Sequence, residues 1–149
     1  MTSLILITML LIMSVPIGES TQNDVSAELK KLSGAWTVVE EIDDGKPMPA
    51  AEASKNKLTF DGTGRWKVEI DGKFVGEGTA TIDPNRKPKT IDYTFTRGES
   101  AGAKFIAIYE LNDDLFKHCG VLAGTRPTEF SSKPGSKQIL TIFRRVARD

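Results

Sequence analysis

Arg65-Trp66-Lys67-Val68-Glu69-Ile70-Asp71-Gly72-Lys73-Phe74-Val75-Gly76 is the stretch that decides the fold. Trp66, Val68 and Ile70 alternate with Arg65, Lys67 and Glu69, so an extended chain there has one apolar and one charged face. Asp71-Gly72 is a two-residue turn of the kind that joins antiparallel strands, because both residues tolerate positive φ. The chain then resumes as a second strand. Phe74, Gly76, Gly78, Ala80 and Ile82 share a face in simple alternation, and the small residues in that row predict a bend or unfilled space.

The same rhythm runs outward in both directions. Upstream, Trp36 to Ile42 is rich in β-formers and ends at the turn Asp43-Asp44-Gly45, and Lys57 to Phe60 ends at Asp61-Gly62-Thr63-Gly64. Between them, Lys46-Pro47-Met48-Pro49 reads as unable to pair regularly, and Ala50 to Lys55 as one helical turn. Downstream, Ile91, Tyr93 and Phe95 alternate with Asp92, Thr94 and Thr96. Lys104–Leu111, Leu115–Val121 and Gln138–Val146 complete about eight strands with no crossover helix. An up-and-down meander of that number closes on itself and removes its exposed edges. The fold class expected is all-β: an eight-stranded antiparallel barrel preceded by a short helix. Such an interior is just wide enough to be filled by side chains or to hold one small ligand.

The first 33 residues divide into two other segments. Leu4 to Ile17 is almost continuously apolar, too short for a bilayer span of about 20 residues but suited to the core of a secretory signal. Pro16 and Gly18 break it, and Gly18-Glu19-Ser20 offers small residues for cleavage before Thr21. Residues 1–20 are therefore read as a leader, 21–33 as a lead-in with a helix, and 34–149 as the barrel. Val25, Leu29 and Leu32 recur at helical spacing, Thr21 and Asp24 are candidate caps, and Gly34 stops the helix. An exported protein without a membrane span in its mature chain is expected, in the periplasm, the cell envelope or outside the cell.

Composition excludes several classes. The 20 basic and 20 acidic side chains are interspersed rather than gathered in a stripe, which argues against a nucleic-acid partner. A single cysteine, Cys119, forbids an internal disulfide and lies on a strand, where burial is the ordinary outcome. Adjacent strand residues point to opposite faces, so His118 and Cys119 cannot converge on one substrate atom. One histidine and one cysteine do not build a zinc site. The acidic clusters at Glu40-Glu41, Asp43-Asp44 and Asn112-Asp113-Asp114 lack calcium-loop spacing. No catalytic residue, metal or cofactor is assigned, and a monomer is expected.

A resemblance can be set beside this reading. A helix followed by Gly34-x-Trp36 resembles the opening motif of the lipocalin superfamily, in which the Trp packs at the closed end of the barrel. An ordered set of segments resembles, more closely, a lipocalin-like domain family abundant in planctomycetes. These are Glu28-Leu29-Lys30-Lys31-Leu32, Asp44-Gly45-Lys46-Pro47, Lys87-Pro88-Lys89-Thr90-Ile91-Asp92, Ile108-Tyr109-Glu110-Leu111, Cys119, Arg126-Pro127-Thr128-Glu129-Phe130 and Lys133-Pro134-Gly135-Ser136. The resemblance implies a barrel in an exported setting and brings no activity, substrate or catalytic residue with it.

Two functional expectations follow. The first, from the superfamily resemblance, is a non-enzymatic barrel that binds a small apolar or amphipathic ligand inside, lined by Trp66, Val68, Phe74, Tyr93, Phe95, Phe116 and His118. His118 shares a face with Phe116, so an inward face there makes the imidazole a polar group in an apolar interior. The second is a filled barrel that serves as a protein-interaction module through the Thr125–Gly135 loop, with Arg126, Glu129 and Phe130 as its candidate residues. In a purely structural version of that loop, Arg126 pairs with Glu129 and Phe130 plugs a barrel end.

Overall fold

The computed structural model describes residues 21–148, so the apolar leader segment lies outside the described residues. The elements are α1 (Gln22–Leu32), β1 (Gly34–Asp43), β2 (Lys46–Pro47), α2 (Ala50–Ala53), β3 (Asn56–Phe60), β4 (Arg65–Ile70), β5 (Lys73–Asp83), β6 (Lys89–Gly98), β7 (Lys104–Leu111), β8 (Leu115–Val121) and β9 (Ile139–Arg145). From β3 to β9 each strand pairs with the next in sequence, and β1 pairs with both β3 and β9. The result is a closed, eight-stranded antiparallel, lipocalin-like barrel. The two residues of β2 fold back on β1, with Pro47 opposite Ile42 and Lys46 opposite Asp43. Lys46-Pro47 therefore does pair, contrary to the sequence reading, because a ribbon two residues long does not need the amide that proline lacks.

α1 starts at a full capping box: the Thr21 side chain accepts from the Asp24 amide and the Asp24 carboxylate accepts from the Thr21 amide. Leu29 and Leu32 are buried in the same cluster as the barrel interior. The Trp36 indole donates to the Leu32 carbonyl at 2.8 Å. Arg145, at the end of β9, lies 4.1 Å over the Trp36 ring and donates to the carbonyls of Asp113, Ser33 and Lys31. One side chain thus ties the last strand, the first strand and the helix together at the closed end. α2 leaves the far end of β1 and enters β3, so it sits at the opposite rim, where Ala53 is fully buried and Met48 packs against the core.

Three irregularities set which side chains face inward. The β1–β9 ladder skips Val39, so inward alternation passes from Val38 to Glu41 instead of to Glu40. On β5 the pairing slips between Val68 and Glu69, putting Phe74 opposite Glu69. A third slip on the β5–β6 ladder sets Gly78 opposite Phe95. Such bulges add one residue and turn the following side chains to the other face.

The interior is packed with rings. Phe116 stacks on Phe143 at 5.3 Å and meets Trp36 at 5.7 Å, Phe60 at 6.0 Å and Tyr109 at 6.1 Å between centroids. Trp66 stands edge-on to Tyr93 at 5.6 Å and to Phe95 at 4.8 Å. These distances are those of aromatic pairs in contact. The small residues expected to leave space instead make room for these rings. A Cβ on Gly78 would fall 1.8 Å from the Thr94 carbonyl oxygen and 2.9 Å from Trp66 Cζ2, and one on Gly120 would fall 2.6 Å from Phe105 Cζ.

Candidate functional site

The interior carries one polar layer, on the α2 side of the Phe116 cluster. His118 and Thr141 are directly opposed on β8 and β9, and Thr141 is opposed in turn by Glu41 on β1. The Thr141 hydroxyl donates to Glu41 Oε2 at 3.3 Å. His118 Nδ1 is 3.0 Å from the Tyr93 hydroxyl. His118 is only 8 % exposed and Thr141 2 %. The rings of Tyr93, Phe105, Phe116 and Phe143 surround the imidazole at 5.0–5.6 Å between centroids.

Burial governs the charge state of each group in the layer. It pushes the His118 pKa down to about 3, so the ring is neutral. It also holds the Tyr93 phenol well above its ordinary value, and that group too is neutral. The Glu41 carboxyl is raised, first by burial and further by Asp43, while the Thr141 hydroxyl partly offsets both. Trp66 Nε1 is buried and has no hydrogen-bond partner among the described residues.

Six of the seven residues expected to line the interior face inward. Tyr93, Trp66 and His118 belong to the polar layer or pack on it, with Val68 and Phe95 half-buried against the core nearby. Phe116 is fully buried in the ring cluster of the closed end and is a core residue. Phe74 is a correction: it is 42 % exposed on the outer wall, under the Arg97 guanidinium at 4.8 Å. The β4–β5 bulge breaks the simple alternation that placed it inside. Glu41 and Thr141 escaped the sequence reading. Thr141 is recoverable from the alternation Ile139, Thr141, Phe143. Glu41 is not, since unbroken alternation from Trp36 selects Glu40, and only the bulge at Val39 reverses that.

The Thr125–Gly135 loop lies on the outside of the barrel. Arg126 binds both carboxylate oxygens of Asp92 and donates to the Ala107 carbonyl at 2.8 Å. It does not pair with Glu129, which is exposed and lies 3.8 Å from Lys133. Phe130 sits beneath Lys117 Nζ at 4.3 Å, on the outer wall, and does not plug a barrel end. Beneath the loop, Ile108 and the opposed Cys119 on the outer face of β7 and β8 are buried. The Cys119 thiol donates to the Ser131 carbonyl at 3.2 Å, with Gln138 Nε2 donating to that same oxygen at 2.7 Å. Burial raises the thiol's pKa. The tip is fastened to the β1–β2 turn as well: the Gly45 amide donates to Ser132 Oγ and the Lys137 amide to Asp44. His118 and Cys119 therefore do face opposite ways, one into the barrel and one under the loop.

A second buried ionic group joins the helix to the barrel. Glu28, 4 % exposed, accepts from Lys89 Nζ at 2.7 Å and from the Tyr109 hydroxyl at 3.1 Å, with Lys31 at 3.5 Å. Burial acts to raise the carboxyl, but Lys89, Tyr109 and Lys31 together hold it below its ordinary value. This cluster needs no ligand to be satisfied.

Among the described residues no group of three or more His, Cys, Asp and Glu is placed to hold a metal ion, and no helix is long and apolar enough to cross a membrane. Comparison with protein-family models, with curated proteins and with solved structures returns no match to this chain. The architecture is that of a lipocalin-like all-β barrel, and among the described residues the buried polar side-chain atom without a hydrogen-bond partner is Trp66 Nε1, whose ring packs on Tyr93 beside the His118 layer.

Proposed function

We propose that this chain is an exported, non-enzymatic barrel that binds one small molecule in the half of its interior nearest α2. The observation that supports this reading is the polar layer itself. A barrel that only needs filling gains nothing from a buried imidazole and an indole without an acceptor, since apolar groups of similar shape would be as stable there or more so. Buried polar groups on an aromatic wall are the usual makings of a small-molecule site. The ring packing restricts the size: a single-ring compound asks the least displacement of the core, whereas a long acyl chain would have to displace much of it. The Gly34-x-Trp36 opening that resembles the lipocalin superfamily agrees with a binding role, and the apolar run at residues 4–17 agrees with export.

Chemical-shift mapping of the protein against a set of single-ring compounds tests the site. Expected perturbations cluster at Tyr93, His118, Thr141 and Glu41. Perturbations confined to the outer wall, or to the loop over Cys119, overturn the reading. Sequencing the amino terminus of the secreted product tests export, with Thr21 expected as the first residue.

A further inference from the structure

We propose that the ligand of this inner layer is a small uncharged molecule bearing a hydrogen-bond acceptor, such as a ring carbonyl or ring nitrogen. The inference rests on the binding reading above and adds the chemical class. It comes from counting polar hydrogens. Tyr93 and His118 each carry one in their neutral forms, and Trp66 carries one on Nε1. A single hydrogen bond joins these three groups, between Tyr93 and His118 Nδ1 at 3.0 Å. If the phenol donates, the imidazole hydrogen is on Nε2 and is left over. If Nδ1 donates, the phenol hydrogen is left over. Either way one hydrogen of that pair remains, and the Trp66 N–H has no partner among the described residues. The Thr141 hydroxyl is already committed to Glu41. The layer therefore holds two donors without a side-chain partner: the Trp66 N–H and, depending on the tautomer, either His118 Nε2–H or the Tyr93 phenol hydrogen, with Trp66 at 5.6 Å and His118 at 5.5 Å from the Tyr93 ring between centroids.

The charges around the layer decide the rest. Lys67 and Lys117, the basic neighbours of Trp66 and His118 in sequence, take the outer face and pair there with Glu69 and Glu110. An anionic ligand would meet Glu41 and no counter-charge, at the full cost of burying an unpaired ion. An ammonium would find Glu41 but has no acceptor to offer the Trp66 N–H. An uncharged acceptor satisfies the orphan hydrogens without adding charge.

Four probes of one size separate these cases: acetophenone, toluene, benzoate and benzylamine, titrated into the ¹⁵N-labelled protein. His118 is the only histidine, so its ring nitrogens are an unambiguous reporter. Of the two tryptophans, Trp36 is already bonded to Leu32 and serves as the internal control for Trp66. Acetophenone is expected to shift the Trp66 indole or the His118 ring, leave the Trp36 indole unmoved, and bind at least about tenfold more tightly than toluene. Trp66→Phe keeps a ring and removes one donor. Tyr93→Phe removes the phenol hydroxyl that bonds His118. At least one of the two variants is expected to reduce the advantage over toluene. Equal binding of toluene and acetophenone, or a preference for benzoate or benzylamine, overturns the chemical class while leaving an interior site standing. No response of His118, Trp66 or Tyr93 to any of the four overturns both.

Discussion

Replacing Gly78 by Ala distinguishes a barrel packed to its wall from one with room to spare. The added Cβ would meet the Thr94 carbonyl oxygen at 1.8 Å and Trp66 Cζ2 at 2.9 Å. Real Cβ contacts below 3.0 Å are essentially never seen, so the β6 backbone must retreat by more than 1 Å or the indole must tilt out of its slot. Retreat sacrifices at least one ladder hydrogen bond, at about 1 kcal/mol. The overpacking adds about 1–3 kcal/mol, against a gain of about 0.5 kcal/mol from the stiffer unfolded chain. The net expectation is a loss of about 1.5–3.5 kcal/mol, equivalent to a fall in Tm of about 5–15 °C for a domain of this size. Gly76→Ala is the matched control on the same strand and face. Its Cβ would lie 3.3 Å from the Arg97 carbonyl oxygen and 3.7 Å from the Phe95 ring, so its effect is expected to stay within about 0.5 kcal/mol. Urea unfolding followed by Trp fluorescence reads both. Were the two variants equally stable, or Gly78→Ala as stable as the parent, the row would be unfilled space and the packed-interior account would be refuted.

Further expectations concern charge, the loop and pH. Glu28→Gln removes the ion pair with Lys89 and weakens the bond from Tyr109; discounted for the partial exposure of Lys89, the loss is about 1–2 kcal/mol in equilibrium unfolding at neutral pH. Arg126→Ala frees the loop from Asp92 and Ala107, so amide exchange over residues 122–138 is expected to quicken and Cys119 to react with a thiol reagent that the parent resists. The His118 ring is expected to show no protonation by ¹⁵N NMR from pH 8 down to pH 4, given a pKa pushed down to about 3. Because that pKa lies below the unfolded value of 6.5, the unfolded chain binds more protons in between, and stability is expected to fall as pH drops from 6.5 toward 3. Glu28 acts in the same direction: its lowered pKa gives stability above 4.5 that is lost on further acidification, and Glu28→Gln is expected to flatten that limb of the profile.

The strands were legible because alternation and turn residues are local. Trp66-Val68-Ile70, the Asp71-Gly72 turn and the Thr21–Asp24 cap all declare themselves within a few residues. What the sequence hid was set by pairing between distant strands. The bulge at Val39 exists only relative to β9, and it alone brings Glu41 beside Thr141. The slip at Val68/Glu69 exists only relative to β5, and it puts Phe74 outside. Gly78 reads as a gap until the neighbouring strand and the Trp66 ring are in place, when it becomes the only residue that fits. The partner of Arg126 was hidden in the same way, since Asp92 is 34 positions away and Glu129 only three.

Arg145 has a consequence for how the chain comes to be folded. It closes the last strand, yet it holds the Trp36 ring and the carbonyls that end α1. The seam between β1 and β9 joins positions about a hundred residues apart, so loop closure across nearly the whole domain precedes the reward. A nascent chain that has not reached β9 has an α1 whose last carbonyls lack the Arg145 donor and a sheet with two raw edges. The native barrel is therefore a property of the chain through β9, and its seam cannot close before that strand is made.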